Sequence, residues 1–249
     1  MTHDLESPAR SRRLALHGGT SAALAGGAVA FNIGGALHPN DSSTGNKVTQ
    51  LHDMLLQSAW WPSHLSLLAS FALFTVGFLR LAGQFELAPA TRRIVRVMTA
   101  VSALTTGAMI PHLLAPLGAD SLADGQSNAL SIFMTIDETL ADAPWAIGVA
   151  LLALVGGVTG NVGNRVTAVV GMIGGASFAA AAVTIPFTDA LDALFAVGGM
   201  GITLWTLGAV AVGEWRRHLD LPSAQPEGGT APPRRSRTAI SQADHGMGA

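Results

Sequence analysis

The chain has no cysteine, which excludes a disulfide framework and any thiolate metal site and leaves no mark of its redox compartment. Charge is scarce as well: 12% of the 249 residues are Asp, Glu, Lys or Arg, against 49% hydrophobic. A soluble fold of this size needs more charged surface than that, so the expected solvent is lipid. Several catalytic and binding signatures are also missing. Gly-rich dipeptides lie inside apolar stretches rather than after a soluble strand, so there is no nucleotide-binding loop. Ser63 beside His64 has the residue types of a nucleophile and a base, but helix neighbours point about 100° apart and build no triad alone. No basic, aromatic surface suggests nucleic acid.

What is present is a set of six apolar stretches, at about Leu14–Leu37, Trp60–Leu81, Ile94–Leu117, Ala143–Gly160, Val166–Phe187 and Leu191–Gly213. Each is near the roughly 20 residues that cross a hydrocarbon core about 30 Å thick. Backbone polar groups in lipid must be satisfied within a helix or a closed barrel, and no period-two alternation runs through these stretches. The expected fold class is therefore an all-α membrane protein, a bundle of six transmembrane helices. Inside the stretches the only ionisable residues are His17, His64, Arg80, Arg96, His112 and Asp192, all toward the ends. The midplane keeps Asn32 and scattered Ser and Thr, whereas a charge-coupled transporter usually carries an ionisable group there.

Thirteen of the fourteen Lys and Arg residues fall in the tails or in alternate connections, and Lys47 is the exception. The positive-inside rule then puts both termini in the cytoplasm of a multi-pass protein of the cell membrane. The connection Gly118–Asp142, with five carboxylates and no cation, fits the outer side. Residues 1–13 read as a cytoplasmic tail, 14–215 as the transmembrane domain and 216–249 as a disordered cytoplasmic tail. A cleaved signal peptide over Arg10–Ala30 is the competing reading of the first stretch. Against it, Gly18, Ala22, Gly26, Ala30 and Gly34 recur every fourth position, a device for close helix packing. Gly171, Gly175 and Ala179, then Gly198, Gly199 and Gly201, repeat the device, and such faces also suit a homo-oligomer or a larger membrane complex.

Three connections carry expectations of their own. Val48, Leu51, Leu55 and Ala59 recur at helical spacing, which predicts a short interfacial helix in the first outer loop, with Trp60 and Trp61 at headgroup level and Pro62 in the next helix's first turn. The apolar run Ala129–Ile136 either dips into the interface or extends the fourth helix outward from near Ser127. Asp189 and Asp192 suit the N-terminus of the sixth helix as caps.

Sorted by side, four of the eight histidines are outer: His38, His52, His64 and His112. At about 1.5 Å per residue, His112 stands roughly 24 Å above Arg96, and His64 roughly 24 Å above Arg80. The two therefore share a depth, with His38 and His52 as a rim above them. Imidazoles ligate haem iron, copper and zinc, and adjacent carboxylates fix their tautomers. The candidate ligands are His64 and His112 for a cofactor, and His38, His52, His64 and His112 for a metal, with Asp53, Asp137, Glu138 and Asp142 to orient the rings. Met54 and Met109 add soft donors for copper. None of the four histidines forms a pair three or four residues apart, so the expectation rests on joint placement. It points to a membrane-embedded haem- or metal-binding redox protein. The alternatives are a permease for a small uncharged solute, and an accessory subunit without a site of its own.

Overall fold

Every regular element among the described residues is helical, and the order is α1 (Gly18–Leu37), α2 (Lys47–Leu55), α3 (Trp60–Ala82), α4 (Pro89–Leu113), α5 (Ala119–Ala123), α6 (Ala129–Asp137), α7 (Ala143–Thr159), α8 (Arg165–Thr184) and α9 (Ala193–Asp220). A 3-10 turn at Ala115–Gly118 follows α4, and a π turn at Glu138–Asp142 joins α6 to α7. The computed structural model describes residues 16–40, 46–188 and 190–220, so both expected disordered tails lie largely outside the described residues, as does Asp189. The packing below is that of the compact unit that ends at Leu219.

Among the described residues, six helices are long and apolar enough to cross a membrane: α1, α3, α4, the continuous run Ala129–Thr159, α8 and α9. The chain is a multi-pass membrane protein, and its helices imply a lipid environment. Their ends differ from the apolar blocks where local chemistry intervenes. α4 starts at Pro89 rather than Ile94 because proline at the first helical position is preset for the helix. The apolar run before Asp137 is α6, started by a capping box in which the Asn128 side chain accepts from the Ser131 amide and the Ser131 hydroxyl accepts from the Asn128 amide. It extends the fourth span. α9 continues past Gly213 to Asp220.

The spans stand in a ring in chain order. α1 packs on α3, α3 on α4, α4 on α7 and α7 on α8. α8 meets α9 at Gly174 and Gly201, where a Cβ on Gly174 would sit 2.6 Å from the Gly201 carbonyl carbon. α9 closes onto α1, with the Ser21 hydroxyl 2.5 Å from a Glu214 carboxylate oxygen. Inside the ring, Phe31, Phe71 and Phe74 surround Trp145 with ring centres 5.5, 5.0 and 5.5 Å away. The Trp145 indole is buried and satisfied, donating to the Ser102 hydroxyl at 3.0 Å.

Polar glue joins α3 to α1. Ser63, Ser66 and Ser70 donate to the carbonyls of Gly34, Ala30 and Gly27 at 2.8, 3.0 and 2.8 Å, a ladder that runs antiparallel between the helices. Bonds of this kind contribute about 0.6 kcal/mol each in a membrane. Ser70→Ala should therefore lower the unfolding free energy in detergent by less than about 2 kcal/mol, and a larger loss would show the hydroxyl doing more than joining two helices. The expected small-residue face of α1 is only partly the contact face: Gly34 is buried and Gly26 and Ala30 are half-buried, while Gly18 and Ala22 are exposed. Four residues advance about 400° around a helix, so a strict four-residue repeat drifts about 40° per step and leaves the interface.

At one end of the ring, α2 covers a satellite cluster of Leu55, Trp60, Ala115, Ala119, Leu122 and Met134, onto which Val48, Leu51 and Met54 pack. The stripe that predicts this helix thus faces protein. At the other end, the α7–α8 turn needs Gly160 at φ 70° and Gly163 at φ 73°, and the Arg216 guanidinium donates to both carbonyls at 2.6 and 3.0 Å.

Candidate functional site

Two hydrogen bonds bring the histidines together. Ser63 ties the first turn of α3 to the end of α1, and the Trp60 indole N–H donates to the Leu113 carbonyl at 3.1 Å, tying that turn to the end of α4. His38 follows α1, His64 lies in α3 and His112 lies in the last turn of α4. The His64 ring centre is 5.0 Å from that of His38 and 5.1 Å from that of His112. Trp60, four residues before His64 and so on the same helix face, stacks on it at 3.7 Å. The inner part of the cluster is closed, with Trp60 and His64 0% exposed and His112 4%, while His38 is exposed.

Each ring spends the same nitrogen on a fixed acceptor. His38 Nδ1–H faces the Pro39 carbonyl at 3.0 Å, His64 Nδ1–H the Trp60 carbonyl at 2.8 Å, and His112 Nδ1–H the Asp137 carboxylate at 3.2 Å. An acceptor at Nδ1 selects the tautomer that carries its lone pair on Nε2. The Nε2 of His64 is buried with no hydrogen-bond partner. That atom is costly to leave unpaired, and it marks where a proton donor or a metal ion would be welcome.

Not every expected residue joins. His52 stays on α2, where its Nδ1 lies 3.5 Å from Asp53, so the expected rim is supplied by His38 alone. Asp137, 3% exposed, is the carboxylate that reaches the cluster. Glu138 and Asp142 are half-buried in the π turn, where the Ala143 N–H donates to the Glu138 carbonyl five residues back. Such turns occur mostly as single insertions and often at functional sites. One oxygen each of Asp137 and Asp142 is buried without a partner. Among the described residues, no three His, Asp or Glu side chains are arranged to hold one metal ion together.

Haem meets a geometric obstacle. A porphyrin ligated by both His64 and His112 would have to lie between their rings, yet these ring centres are 5.1 Å apart and the His64 ring is stacked on Trp60 at 3.7 Å. Two imidazoles on one bare ion, with bonds of about 2 Å, place their ring centres roughly 5 to 6 Å apart. The observed spacing fits that case.

His38 reaches the surface with its outer side, while Trp60 and His64 crowd its ring. Desolvation, followed by the nearby His112, pushes its pKa down to about 4, against a smaller upward pull from the Pro39 carbonyl. A histidine with a lowered folded pKa favours the fold above its ordinary value of 6.5, and that contribution is lost as pH falls through about 4. Melting temperature in detergent should thus fall on acidification across this window, and His38→Gln should flatten the slope. An unchanged slope would show the ring freely solvated.

Trp60 is the member that sequence reasoning misses, since a tryptophan beside Trp61 reads as a headgroup anchor. Its spacing of four from His64 is the signal that could have found it. Comparison with protein-family models, with curated proteins and with solved structures finds no match to this chain.

Proposed function

We propose that the chain is a multi-pass protein of the cell membrane, with both termini cytoplasmic and the histidine cluster near the outer surface, and that this cluster binds a transition-metal ion through Nε2 of His64 and His112. The orientation rests on the basic residues, which avoid the cluster's end apart from Lys47. In this orientation α2 caps the site from the outer loop. The site reading rests on one observation: three imidazoles in contact, each with Nδ1 held by an acceptor, which is how metal-ligating histidines are usually prepared. His38 stands beside His64 as a further donor, and Asp137 accepts from His112 Nδ1–H and so orients that ring. Imidazole ligands suit copper, iron and zinc, and a redox role follows for either of the first two. The convergence of the rings disfavours an accessory subunit, which would leave these histidines apart.

The test is elemental analysis of the full chain purified in detergent, after loading with copper, iron or zinc and removal of free ion. About one ion per chain is expected, with nitrogen ligation visible in the electron paramagnetic resonance of the copper(II) form. No retained ion with any of the three metals would overturn the reading.

A further inference from the structure

The opposite end of the ring holds a second site of different chemistry. Arg92, Arg93 and Arg96 sit in the first two turns of α4 and, with Pro89 and Val97, line a cavity of about 350 Å³. Arg92 is pinned, its Nη2 donating to the Phe85 and Leu87 carbonyls at 2.6 and 3.2 Å, and its Nε is buried without a partner. Among the described residues, Arg93 and Arg96 have neither a hydrogen bond nor an ion pair.

Three features of this arrangement are unfavourable for the protein alone. Cations at a helix N-terminus face the positive end of the dipole. Arg92 and Arg96, four residues apart, repel on one helix face. The Arg92 Nε is a charged donor withdrawn from water and left unsatisfied. One anion in the cavity relieves the first two directly and offsets the charge of the third. A topology signal needs cations only near the end of a span and does not need them gathered around one cavity.

The shape of the lining narrows the anion. Guanidinium groups bind phosphate oxygens with two parallel bonds, and the wall beyond Arg96 is the side chain of Val97, 56% exposed on the face that meets lipid. A free phosphate has no use for an apolar wall, whereas a lipid phosphate continues into acyl chains along it. We propose that this cavity binds the phosphate of an anionic phospholipid, with Arg93 and Arg96 as its donors and the pinned Arg92 guanidinium as a third positive charge beside it.

The experiment uses the full chain in neutral detergent and titrates phosphatidylglycerol, phosphatidylcholine and inorganic phosphate separately. Bound lipid is read by native mass spectrometry and stability by thermal unfolding. Phosphatidylglycerol should be retained and should raise the melting temperature, and phosphatidylcholine should do neither. Arg93→Gln/Arg96→Gln should bind phosphatidylglycerol roughly thirty-fold more weakly, while Arg165→Gln, a cation at the start of α8, should bind as the wild type does. If the double variant does not fold, Arg96→Gln alone should still lose about fivefold. Wild-type affinity in the Arg93 and Arg96 variants, or equal retention of phosphatidylcholine, would overturn the site. Stabilisation by inorganic phosphate equal to that by phosphatidylglycerol would overturn the lipid assignment.

Discussion

His64→Ala is expected to abolish stoichiometric metal binding, because it removes the ring that touches both other imidazoles, at 5.0 and 5.1 Å. His52 does not take its place, being paired with Asp53 on α2. The variant also leaves Trp60 without its stacked neighbour, so a loss of fold must be distinguished from a loss of ligand. His64→Gln keeps most of the volume and removes the Nε2 lone pair, and it should fold with the same loss of metal. Asp137→Asn should behave differently. It keeps an acceptor oxygen but loses the charge that steadies His112, and changes at such supporting groups weaken metal binding about 10- to 100-fold without removing the site. His52→Ala should leave binding unchanged. Full metal retention by both His64 variants would move the site elsewhere or dismiss it.

Gly174→Ala should be among the most damaging small substitutions in the ring. The new methyl would sit 2.6 Å from the Gly201 carbonyl carbon and 2.6 Å from the Ile202 nitrogen, both backbone atoms that cannot rotate away. α8 and α9 must separate there, and overpacking of this kind costs about 1–3 kcal/mol. Gly201→Ala meets Gly174 from the other side, its Cβ 2.6 Å from the Gly174 Cα. The two substitutions share one contact, so their effects should not add. Gly107→Ala, with no atom within 4 Å of its Cβ, is the control and should change little. Unfolding in detergent reads all three, and stability within about 0.5 kcal/mol of wild type for Gly174→Ala would mean that the close crossing is not made.

Much of the architecture is legible along the chain because crossing a membrane is a local property. About 20 apolar residues suffice whatever surrounds them, and the six spans, the short helix after Asn46 and the proline start of α4 all follow from nearby residues. The four candidate histidines are legible for the same reason, as positions near helix ends. Which of them meet is not. A helix seen in sequence has a known face pattern but no known rotation or neighbour, and small residues every fourth position wrap around α1 instead of marking one side.

Composition, spacing and charge alone determined that this is an all-helical multi-pass protein with histidines gathered toward span ends away from most of its arginines. Only the tertiary structure decided that His38, His64 and His112 converge while His52 stays apart, that Trp60 is a wall of the cluster, and that three arginines of α4 line one cavity. The reason is physical: each of these depends on how a helix is turned about its own axis, and that is set by contacts such as Ser63 with Gly34 and Gly174 with Gly201, made between residues far apart in the chain.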